Sequence, residues 1–130
     1  MFRTLMRAKV HGATLTDANL NYTGSVTLDA GIMEQLDMLP HEQVQVLNLN
    51  NGSRLITYLI AGEKGSGVVA LNGAAARLGQ PGDKLLIITY GMMSEEEARQ
   101  FRPKVALMDE QNRVVEILEK APAPQSSVRA

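Results

Sequence analysis

Punctuation is what most limits the fold. Turn-forming clusters at TDANLN (16–21), NNG (50–52), GEKGSG (62–67), PGD (81–83) and EQN (110–112) cut the chain into short pieces. The pieces between them are β-prone. Residues 3–15 alternate, with Leu5, Arg7, Lys9 and His11 on one parity and Met6, Ala8 and Val10 on the other. A strand near 25–28 follows, then QVQVLNL, SRLITYLIA, VVALN, KLLIITY, KVALMD and RVVEILE. Asn50-Asn51-Gly52 reads as a two-residue hairpin connection.

Helix signals are few. Asp29 is placed to cap a helix carrying Ile32, Leu36 and Leu39, with Pro40 as its stop. Ser94 with Glu97 makes a capping box that opens EEEARQF, and NGAAARLG has room for one short turn of helix. Such a pattern cannot supply the crossover helices of regular βαβ winding. It predicts a mainly β fold, a small closed barrel of six to seven strands with a few short helices, because closure removes exposed edges. A single domain is expected over residues 1–120, and the tail from 121 to 130 has no core residues and is expected to be disordered.

Composition removes several functions. The 13 Lys and Arg against 14 Asp and Glu leave no field to draw nucleic acid or an anionic membrane, and 4% aromatic residues offer no base-stacking surface. Without cysteine there is no disulfide, thiolate nucleophile or Cys-ligated metal, and His11 and His41 stand apart with no carboxylate at ligand spacing, so no metal site is expected. The N-terminal MFRTLMRAKVHG is too interrupted by charge for a secretory signal, and LLIITYGMM is about half a membrane span. A cytoplasmic location is the expectation.

Four places could carry chemistry. Gly24-Ser25 is, in its plain reading, a bend; in its sharper one, an exposed glycine carbonyl sits ahead of a hydroxyl able to attack it. Arg54 and Tyr58 share a strand face and offer a guanidinium fork and a phenol proton, while Thr57 points the other way unless a bulge redirects it. Lys9 and His11 share another face, and Lys9 beside Arg54 would suit a dicarboxylate. Asn72-Gly73-Ala74-Ala75-Ala76 is either tight packing at a helix start or backbone that a small ligand can approach closely.

In order and spacing, the blocks RTLMRAKVHGATLTDANLNYTGS, NNGSRLITYLIAGEKGSG, LNGAAARLGQPGD and EEEARQFRPKVA resemble the pyruvoyl-dependent aspartate decarboxylases. The resemblance implies a double-psi β-barrel, usually a homotetramer, that converts L-aspartate to β-alanine and CO₂ for pantothenate synthesis. It implies self-cleavage between Gly24 and Ser25, with Ser25 becoming the pyruvoyl cofactor that takes the substrate amine as a Schiff base. By position it makes Tyr58 the proton donor, Thr57 a residue of maturation and substrate contact, and Arg54 with Lys9 the carboxylate holders. Asn72, Gly73, Ala74 and Ala75 fall on substrate-contacting backbone and side chain, with His11 and Tyr22 as neighbours. Thr23 stands where some members carry glutamate. A maturation helper protein is a further partner consistent with such a family. The rival reading is a non-catalytic small β-barrel module that binds a small acid or a protein partner, with Gly24-Ser25 intact.

Overall fold

The computed structural model describes residues 1–122; the expected disorder of the tail falls, from residue 123 on, outside the described residues. The chain runs β1 (Phe2–Thr14), β2 (Asp17–Asn19), β3 (Ser25–Asp29), α1 (Ala30–Gln35), β4 (Gln43–Asn48), β5 (Arg54–Gly62) and β6 (Val69–Asn72). A 3-10 helix (Gly73–Leu78), β7 (Lys84–Ser94), α2 (Glu95–Gln100), β8 (Lys104–Met108) and β9 (Val114–Glu119) complete it. The strands form one ladder in the order β2-β6-β3-β5-β4-β7-β1-β8-β9, a mainly β architecture consistent with a β-barrel.

The long β1 is the spine. It pairs antiparallel with β7 along its whole length and parallel with β8, with register shifts at Arg7 and at Gly12, whose φ of +83° needs glycine. Alternation decides what it buries: Ala8, Val10 and Ala13 enter the core beside Val44, Val46, Leu85 and Ile87. The other half of the ladder sends in Val26, Leu28, Leu59, Val69 and Leu71, so one apolar cluster joins both halves. Asn112, in the β8–β9 turn, ties the ends together. Its side chain accepts from Thr14 N–H (2.7 Å) and donates to the carbonyls of Thr14 and Gly67 (2.8 Å each).

Nine strands form among the described residues, the eight β-prone segments and one more, against a barrel expected to have six to seven. The addition is β2. Asp17 and Asn19 are poor strand formers, yet this short segment pairs parallel with β6 because that strand's edge is open there. The Asn-Asn-Gly hairpin holds, but its loop spans 49–53. Asn48 Oδ1 accepts from the N–H groups of Asn50 (2.8 Å) and Asn51 (3.3 Å), widening the turn beyond two residues.

Helix α1 starts on Asp29 as its spacing predicts but stops five residues before Pro40. Asp37 takes a left-handed φ of +54°, and the N–H groups of Met38 and Asp37 return to Met33 (2.8 Å) and Glu34 (3.2 Å), a Schellman ending built on aspartate. Leu39 is therefore exposed instead of lying on a helical apolar face. Ser94 and Glu97 form the expected capping box of α2.

Candidate active site

Ser25 opens β3, where it lies opposite Asn72 at the end of β6 and is fully buried. A buried hydroxyl needs partners, and it has two. Asn72 Nδ2 donates to its Oγ at 2.9 Å, and Oγ donates to the Thr23 carbonyl at 3.3 Å. The second Asn72 amide hydrogen goes to Thr27 Oγ1, also 2.9 Å away. Asn72 occupies the cap position of the 3-10 helix but makes no side-chain cap; its Nδ2 hydrogens go to these two hydroxyls.

Gly73 follows with φ +64° and lies flat against the preceding loop. A Cβ there would fall 2.7 Å from both Cα and N of Gly24 and 2.8 Å from the Tyr22 carbonyl, so only glycine lets the two backbones meet. Beside this contact opens a cleft of about 300 Å³. Gly24 and Ser25 form one wall, Ala74, Ala75 and Leu78 another, and the Leu55–Thr57 edge of β5 the third. The two alanines keep that wall low enough for a small ligand to reach the Gly24-Ser25 backbone.

Of the residues singled out in the sequence, this arrangement gathers Gly24, Ser25, Thr57, Asn72, Gly73, Ala74 and Ala75. Strand β5 pairs with β4 and β3 without a register shift, so no bulge redirects Thr57. Leu55, Ile56 and Thr57, from both parities of β5, line the Ser25 cleft, and Arg54 and Tyr58 lie outside its lining. The Tyr58 ring instead faces His41, with centroids 6.2 Å apart.

His41 is held there by the 36–42 loop. Its N–H donates to the Leu59 carbonyl (2.8 Å), Leu59 N–H donates to the Glu42 carbonyl (3.0 Å), and the Glu42 carboxylate pairs with Arg7 at 2.5 Å and accepts from Thr89. Burial pushes the Glu42 carboxyl up, but the Thr89 hydroxyl, Arg7 and the Leu39 N–H outweigh it and hold it below the usual carboxylate range.

Lys9 and His11 stand on β1, three strands beyond β5 in the ladder, with Lys9 half-buried and His11 exposed. Tyr22 is exposed in the loop ahead of Gly24 and lines the open groove behind Asn72. One chain thus assembles the Ser25 half of the expected constellation, and Arg54, Tyr58 and Lys9 stand outside the lining of its cleft. Sequence reasoning missed Thr27. The available signal is its spacing, since hydroxyls at i and i+2 of a strand share a face.

The residues fit a prosthetic group made from Ser25. Its oxygen is fixed, the glycine before it has no side chain, and the cleft reaches both.

Fold and cleft together define a small β-sheet protein with a buried serine beside a ligand-sized cleft, and comparison with known proteins specifies the class. The aspartate decarboxylase family model matches residues 1–115. The chain is 58% identical over 118 residues to the aspartate 1-decarboxylase of Bacillus cereus (strain G9842), covering 91% of this chain and 93% of that protein. It is 57% identical over the same shares to the aspartate 1-decarboxylases of Bacillus thuringiensis (strain Al Hakam) and Bacillus anthracis (strain CDC 684 / NRRL 3495). The chain belongs to the aspartate decarboxylase family.

Proposed function

We propose that this protein is a cytoplasmic enzyme that decarboxylates L-aspartate to β-alanine for pantothenate synthesis, after cutting itself between Gly24 and Ser25 and converting Ser25 to a pyruvoyl group. Family membership carries the reaction, and the observation that carries the site is the Ser25 oxygen, clamped by Asn72 beside a glycine in a ligand-sized cleft. A ketone of this kind draws electrons from the bond to the departing α-carboxylate, the role that pyridoxal phosphate fills elsewhere.

The chain's own groups do the rest. Ala74 and Ala75 let the substrate lie against backbone, and Thr57 contacts it from β5. Arg54 and Lys9 hold the side-chain carboxylate that is retained, a fork and a point charge that orient the other carboxylate for loss. Tyr58 returns the proton to carbon.

Because Arg54 and Tyr58 lie outside the lining of the Ser25 cleft in their own chain, they serve the cleft of a neighbouring subunit. A homotetramer is the assembly proposed, with the residues 1–120 barrel, of double-psi type, as its unit. The exposed Ile56, Tyr90, Met92 and Phe2 on β5, β7 and β1 supply apolar surface for it.

The test is Ser25→Ala. The wild type should release CO₂ from L-aspartate, and the variant should release none while remaining one uncut chain. Equal release by both would overturn the proposal.

A further inference from the structure

Thr27 lies outside the Ser25 cleft, yet only the Asn72 amide stands between its hydroxyl and the reacting oxygen. Asn72 Nδ2 carries two hydrogens, and both are committed: one to Ser25 Oγ and one to Thr27 Oγ1, each at 2.9 Å. The Thr27 methyl packs toward Gly62, where a Cβ would lie 2.9 Å from Thr27 Cγ2, so the residue is seated with its hydroxyl on the Asn72 side. Neither contact belongs to the strand ladder or caps the 3-10 helix. Both amide hydrogens instead bridge two hydroxyls on one face of β3.

We propose that Thr27 is a positioning residue for self-cleavage, acting through Asn72 on Ser25; this rests on the reading of Gly24-Ser25 as the cleavage site. In that step Ser25 Oγ bonds to the Gly24 carbonyl carbon as the carbon–nitrogen bond breaks, and the hydroxyl proton passes to the freed Ser25 nitrogen. Loss of the Ser25 α-hydrogen with departure of the Gly24 carboxylate, then hydrolysis by one water with release of ammonia, leaves the ketone. The first bond forms only when the oxygen is held in one rotamer facing the carbonyl. Asn72 donates to one lone pair of Oγ and the hydroxyl donates to the Thr23 carbonyl, leaving the other lone pair for attack. Thr27 fixes the plane of the amide that does this. With no acceptor at residue 27, the second N–H is orphaned and the amide turns to find another partner, releasing Ser25.

The experiment follows the appearance of fragments 1–24 and 25–130 by mass spectrometry after synthesis of the full chain. T27V should slow cleavage about tenfold, the effect of one lost hydrogen bond to a buried donor, and T27S, which keeps the acceptor, should stay near wild type. In an N72A background T27V should change nothing further, because its route to Ser25 has gone. Should T27V not fold, T27A gives the same contrast against T27S. Wild-type cleavage by T27V or T27A overturns the inference, as does an equal slowing by T27V with and without Asn72. A wild-type chain that never cleaves overturns the underlying reading instead.

Discussion

At the scale of single residues, this site is built from small groups placed where larger ones cannot go. Gly73 is the sharpest case. Any other residue pays about 1–2 kcal/mol for its left-handed backbone and also drives a Cβ to 2.7 Å from Gly24. Gly73→Ala should therefore slow the appearance of the 1–24 fragment by more than tenfold and lower the melting temperature; cleavage at the wild-type rate would show that the Gly24 backbone tolerates displacement. The pair Gly24-Ser25 is among the least specific dipeptides in the chain when read alone, and only its neighbours give it meaning. Strand parity separates Thr57 from Arg54 and Tyr58 in the sequence, and the structure keeps them apart. Parity cannot tell which face meets Ser25, since that depends on which strand lies alongside β5.

At the scale of elements, start signals were legible and stop signals were not. Asp29 and Ser94 announce their helices because a cap is a local contact between a side chain and the N–H groups just after it. The end of α1 depends on Asp37 adopting a left-handed turn, which its type permits but does not announce. Asp29 also does more than cap. Its carboxylate accepts from Gly31 (2.7 Å), Gly65 (3.0 Å) and Gly67 (2.8 Å), pinning the 62–67 turn to the start of α1. Burial raises the Asp29 carboxyl, and the N–H groups of Gly67, Gly65 and Gly31 outweigh it, leaving the group below its ordinary value.

A depressed folded-state value means the stabilisation is complete above the unfolded carboxyl's pKa, about 4, and is lost as pH falls through the folded value. Asp29→Ala should cost about 3 kcal/mol in urea unfolding at neutral pH, and the deficit should shrink toward zero under acid. A deficit independent of pH would mean that the ionised carboxylate is not what holds the turn.

At the scale of the whole molecule, the strand content was readable and the strand order was not. Three of the pairings are parallel, β1 with β8, β2 with β6 and β3 with β5, and they join segments far apart in sequence that carry no local mark of one another. Arg54 and Tyr58 lie outside the lining of the Ser25 cleft, and we propose that the complete site draws on more than one chain. That claim has a direct consequence. Ser25→Ala and Tyr58→Phe chains, each inactive alone, should regain aspartate decarboxylation when co-expressed, because a mixed assembly brings an intact Ser25 together with an intact Tyr58. No recovery in verified mixed assemblies would place both groups in one chain's site.

The central claim is that the backbone at Gly24-Ser25 is itself the reactant, and the intact mass of the purified, fully incubated wild-type protein tests it most directly. Two species are expected, residues 1–24 ending in a free carboxyl and residues 25–130 beginning with a ketone and lacking the serine nitrogen. A single species at the uncut 14.1 kDa would contradict it.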